Sequence, residues 1–437
     1  GTNITGTPPA AEGIQEEVRN VIFFHPDGYG LSHWNALRFW LVGPDGQLNW
    51  DRLSHIAPYT EHMKDALTAS SHGGATIHAY GIKVARDSFG LDEHEVITAL
   101  SGKQMSIMEE AIQAGFATAL IGSGCITEPG TAAFVASVEE RRMREEIAKQ
   151  SIESGVDVIL SGGERWLLPV GVTGRHGEGR REDGLNLIER AKDLGYTVVF
   201  DREELEAAVA RGATKVLGVF ASGHTFNAMP EERLRAEGLP FFVSGAPTIA
   251  EMSIAVLEIL SRSPKATERG IFIVAEEEGT DNFPNSANAA GSFVAGKHAD
   301  AAFGVFADFV EENPNTLLIT AADSAAGGKH LLMQPGVEKV GEARINTGPG
   351  GEWVQAPLLD GVDGPGTAPF LSAPDERGNS WQFAVAWATP HDLSAGIVAR
   401  AKGLNANLVT ELGVVDNTDI YRIMYYTLFG KWLGEAR

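Results

Sequence analysis

Three apolar runs in this chain end in carboxylates, and that pattern points to cation chemistry. Asn20-Val-Ile-Phe-Phe-His-Pro-Asp27-Gly-Tyr-Gly30 carries four apolar residues in a row, then a proline, then Asp27 in a glycine-rich turn. Ile271-Phe-Ile-Val-Ala275 runs into Glu276-Glu-Glu-Gly-Thr-Asp281, and Thr316-Leu-Leu-Ile-Thr320 runs into Ala321-Ala-Asp323. Short runs of this kind read as strands buried on both faces. In a parallel sheet their carboxyl ends share one edge, the edge where open α/β sheets bind ligands. Acids converging there repel one another at low dielectric and require cations. Hard divalent ions with oxygen ligands meet that need. A single acid after a strand is ordinarily a solvated turn residue; three on one edge turn the reading to a metal site.

A hydroxyl stands near this group in the chain. Ala69-Ser70-Ser71-His72-Gly73-Gly74-Ala75-Thr76 reads as a helix start rich in small residues. Serine at such a position is most often a cap. Beside a bound cation it is also an activated nucleophile, with free amides able to hold a phosphate.

The elements that must position these residues alternate. Further strands are expected at Ala117 to Gly122, Val156 to Leu160, Thr197 to Phe200, Val216 to Phe220 and Phe383 to Ala388. Helices are expected at Leu31 to Val42 with Ser32 as N-cap, Ser106 to Ala114, Thr131 to Ser151, Leu185 to Leu194 and Pro247 to Ser261. The expected fold is α/β: a large, mostly parallel central sheet flanked by helices on both faces, with loop insertions near the active site. Residues 1–19 read as a flexible N-terminal segment and residues 20–437 as a single domain. Gly171 to Gly184, rich in Gly, Arg and Glu, and Gln334 to Asn379, rich in glycine and proline, break the pattern and read as insertions near an active-site rim or an oligomer interface, the second spanning about 334–379; a surface loop without a role is the equal alternative for the first.

The chain has 437 residues, 43% of them hydrophobic, and a net charge of −23. That is enough apolar material for a large core, and the charge argues against nucleic acid or an anionic lipid surface as partner. The single cysteine, Cys125, excludes an intramolecular disulfide. No run has the length of a membrane span.

These segments together resemble the alkaline phosphatase family from about Asn20 to Gly430. The Asp27-Gly-Tyr-Gly30 turn is similar to the family's Asp-Gly-x-Gly. Tyr80-Gly-Ile-Lys83 is similar to its Thr-Gly-Val-Lys segment, and counting back from it puts Ser71, not Ser70, on the nucleophile. Thr131-Ala-Ala-Phe-Val-Ala-Ser-Val138 resembles a family helix whose spacing places Arg141 on the phosphate-clamping arginine. Glu276 with Asp281 five residues on, and Asp323, fit the family's acidic ligands. Arg141 lies within Glu139-Glu-Arg-Arg142, where helix-surface ion pairs are the ordinary alternative.

The departures bear on the metal. Where the family has histidine ligands, this chain has Asn285, Ser324 and Asp392, with His391 one residue off register. The family's threonine ligand aligns with Gly130; Glu128 or Thr131 could replace it, and Glu128 is favoured. The implied ligand set is therefore Asp27, Glu128, Glu276, Asp281, Asn285, Asp323 and Asp392, holding two or three divalent ions. Oxygen ligands favour Mg2+, Ca2+ or Mn2+ over Zn2+, the family default. The resemblance implies hydrolysis of small phosphate monoesters through a phosphoserine at Ser71, export to the periplasm or outside, and a homodimer as one possible assembly. Two rivals stay open: a phosphodiesterase or sulfatase of the same superfamily, and a phosphate- or metal-binding homologue without catalysis.

Overall fold

A computed structural model describes residues 18–332, 344–346, 353–355 and 359–434. The expected N-terminal segment, except for residues 18 and 19, and much of the 334–379 insertion lie outside the described residues.

Ten strands form one sheet. Their order is Val415–Asp416, His55–Thr60, Val398–Gly403, Thr316–Thr320, Asn20–Pro26, Ile271–Glu277, Ala117–Cys125, Val158–Gly162, Val216–Val219 and Thr197–Val199. Neighbours from Thr316–Thr320 to Thr197–Val199 are parallel; Val398–Gly403 runs antiparallel to both of its neighbours. The expected mostly parallel sheet is thus present. Asn20–Pro26 lies near its middle and is buried throughout. Burying each side chain of Val21 to Phe24 stabilises the fold by about 1.5–3 kcal/mol.

Helices cover both faces. Asn417–Phe429 and Ser71–Tyr80 pack together on one, where Ile77, Ile420 and Tyr421 join a core with Val21 and Phe23. Ala289–Glu312 and Ile249–Ser261 pack together on the other, where Phe303 and Val256 join Ile22 and Phe24. The alternation of Val21 to Phe24 between the two cores is the period-2 geometry of a strand.

Several boundaries differ from expectation. Leu31–Leu41 starts from Gly30, and Ser32 makes no cap. The helix expected over Thr131 to Ser151 is two, Pro129–Ala132 and Arg144–Glu153, with Arg141 in the turns between. The run at 383–388 forms Gln382–Ala386 in a separate small sheet with His330–Leu332, Asp360–Gly361 and Gly364–Pro365.

Candidate active site

Register sets the site. In the central parallel pair His25 lies opposite Glu276 and Pro26 opposite Glu277, so both chains leave the sheet at the same level. Asp27 follows directly and is fully buried. Asp323, three residues after the neighbouring strand, is fully buried too, and its Oδ1 accepts from the Gly28 amide at 3.4 Å. Gly28 has φ +61°, and a side chain there would also meet the Asp281 carboxylate at 2.6 Å. Here glycine is needed both for the turn and for the close approach of an acid.

The result is a knot of carboxylates with unused oxygens. Ligand atoms of Asp27, Glu276 and Glu278 lie within 4.8 Å of one another, as do those of His25, Asp27 and Asp323. Both oxygens of Asp27, and Oε1 of Glu276, Oε2 of Glu278 and Oδ2 of Asp323, have no hydrogen-bond partner. Buried orphaned oxygens are costly, so their convergence fits a hard divalent ion.

The ionisation of the cluster agrees. Burial, and then the charge of Asp323, push Asp27 well above the usual carboxylate range. Burial, and then Asp392, do the same to Asp281; burial, and then Glu276, to Glu278. Burial also opposes the charge on Asp323, but Asp27 and His25 hold it below the usual range. These acids cannot all ionise without a cation among them.

On one flank, Asn285 Nδ2 donates to both oxygens of Asp281 at 3.1 Å and to Asp392 Oδ1 at 2.8 Å. Its Oδ1 accepts from the Gly327 amide at 3.1 Å. Asn285, expected as an oxygen ligand, thus bridges the two aspartates Asp281 and Asp392 through its amide nitrogen. On the other flank, Arg141 Nη2 donates to Glu128 Oε2 at 2.6 Å. Burial opposes the charge on Glu128, but Arg141, His224 and Arg144 hold it ionised. Arg141 is 38% exposed, and its remaining donors have no hydrogen-bond partner among the described residues.

Ser70 is the N-cap of Ser71–Tyr80: its Oγ accepts from the Gly73 amide at 3.1 Å and donates to the Arg86 carbonyl. Ser71 is the first helical residue, and its side chain forms no cap. A methyl built on Gly74 would lie 2.9 Å from Asp323 Cβ, so this helix start abuts the acid cluster. His391 is exposed, and its carbonyl accepts from the Gly327 amide at 3.1 Å.

Two members of the cluster were not among the expected residues. Glu278 sits in the acidic run but outside the five-residue spacing that selected Glu276. His25 looked like strand; its pairing with Glu276 would have exposed it, but register is not written in one strand. Its ring lies 3.6 Å from Glu276 and 3.7–3.8 Å from Asp27 and Asp323. Burial works against charge on His25, yet Asp323 and Glu276 outweigh it and raise its pKa to about 9. One imidazole, that of His25, thus stands among the acids beside the expected oxygen ligands.

Comparison with known proteins finds relatives in sequence and in fold. The family model described as alkaline phosphatase matches residues 18–428. An alkaline phosphatase of Escherichia fergusonii is 26% identical over 345 residues, covering 70% of each chain. The crystal structure of Thermus thermophilus alkaline phosphatase matches at TM-score 0.71 and 22% identity, over 97% of this chain and 93% of that one. A variant of the TAB5 alkaline phosphatase with Mg bound in its M3 site matches at TM-score 0.66 and 18% identity, over 95% and 99%.

Proposed function

This chain belongs to the alkaline phosphatase family and is a phosphatase; from that premise we propose that it hydrolyses phosphate monoesters with the Ser71 hydroxyl as nucleophile, passing through a phosphoserine in a site built for divalent ions. The observation that carries the reading is the convergence of orphaned carboxylate oxygens from three strand ends beside the start of the Ser71 helix.

Asp27 and Asp323, with His25, would hold one ion. Asp281 and Asp392, tied by Asn285, would hold a second. Asp27, Glu276 and Glu278, with Glu128 at their side, would hold a third. Ions so placed lower the pKa of a hydroxyl they touch and neutralise charge that builds on phosphoryl oxygens. The donor set of oxygens and one nitrogen favours Mg2+, Ca2+ or Mn2+, in keeping with the TAB5 variant that holds Mg.

The chain's own groups do the rest. Ser71, at the first helical position, would present its oxygen where free amides and the positive end of the helix favour a phosphate. Arg141 would take two non-bridging oxygens of the ester with the donors that Glu128 leaves free. Glu128 would orient that guanidinium. Phosphoryl transfer needs positioning and charge stabilisation more than acid–base chemistry, so a serine, an arginine and bound cations suffice. Export from the cytoplasm and a homodimeric assembly complete this reading on family grounds; no helix among the described residues is long and apolar enough to cross a membrane.

Turnover of p-nitrophenyl phosphate after chelation and re-addition of single divalent ions tests the proposal. Activity should vanish with the chelator, return with Mg2+, Ca2+ or Mn2+, and be absent from Ser71→Ala under every condition. Unimpaired hydrolysis by Ser71→Ala would refute it. A higher rate on the bis-ester or the sulfate would favour the diesterase or sulfatase rival.

A further inference from the structure

Beside the acid cluster lies a cavity of about 760 Å3 whose lining includes Arg144, Arg165, Arg180, His224, Trp166 and Asn282. We propose that it receives a second anionic group carried by the substrate, so that the favoured esters are those whose alcohol part itself bears a phosphate. This deepens the phosphomonoesterase reading and rests on it.

Charge balance is the first argument. The chain carries a net charge of −23, yet among the described residues Arg165 and Arg180 have no carboxylate within 4.0 Å, and for Arg144 the nearest is Glu128 at 4.0 Å. Arg175, on the same loop as Arg180, is by contrast paired with Asp201 and Glu204. Burial, and then the charges of Arg180 and Arg144, hold Arg165 below its usual pKa. Like charges kept together without counter-charge form a site for an anion.

The second argument is that the guanidinium groups are placed rather than loose. Arg165 Nε donates to the Ser222 carbonyl at 2.9 Å. Its Nη2 points over Gly223, where a methyl would approach to 2.8 Å. Arg144 lies over the Trp166 ring at 5.7 Å. Arg180 comes from the loop 171–184, which the sequence marks as an insertion. Arg181 anchors that loop from inside, donating to the carbonyls of Glu145 and Trp166 at 2.9 Å each. Glu164 accepts from the Arg175 amide at 2.8 Å and the His176 amide at 2.5 Å, folding the loop over the cavity.

The third argument is position. Glu128, which accepts from Arg141, lies 4.0 Å from both Arg144 and His224. Asn282 lines the cavity and donates to Glu278 Oε1 at 2.9 Å. The cavity and the proposed phosphate clamp thus share a wall. An ester bound at Ser71 could reach across it with its alcohol part.

The test compares an alkanediol bisphosphate with the alkyl monoester of equal length, using wild type, Arg165→Gln, Arg180→Gln, the double variant and Arg165→Lys. Wild type should show a KM at least about tenfold lower for the bisphosphate. The double variant should lose that preference while its kcat/KM on the monoester stays within about threefold; Arg165→Lys, which keeps the charge, should retain part of it. Equal KM values in wild type, or equal losses on both esters in the double variant, would overturn the proposal. Calorimetric titration of Ser71→Ala separates the sources of the anion. Tighter binding of bisphosphate than of monoester, abolished by Arg165→Gln, supports the proposal. Inorganic phosphate filling a second site that Arg165→Gln removes would show a site for free anions and overturn it. Should wild type hydrolyse neither ester, the parent reading fails, and the same titration still decides what the cavity binds.

Discussion

At the scale of residues, the most informative side chain is His25. It is fully enclosed, faces three carboxylates and carries no hydrogen bond on either nitrogen. With its pKa raised to about 9 by Asp323 and Glu276, it would act as the cluster's counter-ion in the metal-free chain. Cation entry should therefore expel its proton. Titrating chelated protein with Mg2+ or Mn2+ in a weakly buffered indicator should release roughly one proton fewer from His25→Asn than from wild type. The variant should also bind the ion about tenfold more weakly. An unchanged proton count would remove His25 from the site. Sequence made Asp27, Glu276, Asp281 and Asp323 legible because each follows a recognisable apolar run. It hid His25 because the acids that charge it, Asp323 and Glu276, lie 298 and 251 residues further along the chain, the second across a strand pair.

At the scale of elements, parallel strands were readable and the antiparallel edge was not. Central strands such as Asn20–Pro26 carry unbroken apolar runs, here Val21 to Phe24, as burial on both faces demands. His55–Thr60 and Val398–Gly403 contain Pro58, Arg400 and Lys402, the mixed composition of strands near an edge, and escape a search for apolar runs. The single helix expected over Thr131 to Ser151 is interrupted between Ala132 and Arg144. Tertiary structure breaks it so that Arg141 can turn back onto Glu128. The short helix Pro129–Ala132 yields a test of its own. A methyl on Gly130 would fall 1.6 Å from Glu276 Oε1. The carboxylate tip can swing away, so Gly130→Ala should fold, with chelated stability changed by no more than about 1 kcal/mol. Its cost should fall on the ion held by Glu276. Metal titration should show at least about tenfold weaker binding of one ion, whereas unchanged affinity would mean that Glu276 holds none.

At the scale of the whole molecule, the buried acids make stability, pH and metal one linked quantity. In the metal-free chain Asp27, Glu276, Glu278 and Asp281 all have folded pKa values raised, first by burial. For an acid the sign follows directly: the folded state binds more protons than the unfolded one between the ordinary and the raised pKa. The stability these groups contribute is thus fully present below the ordinary carboxylate range and is lost as pH rises through the raised values. A bound divalent ion removes that loss by supplying the charge that protons supplied before. The chelator-induced fall in thermal midpoint should therefore be larger at pH 8.5 than at pH 5.5. Each ion present at a thousandfold excess over its dissociation constant should be worth about 4 °C for a chain of this size. Replacing Asp27 with Asn should shrink both the chelator effect and its growth with pH, because it removes an acid that the two cation groups share. A chelator effect independent of pH, or one undiminished in Asp27→Asn, would mean that these carboxylates do not govern the stability of the fold.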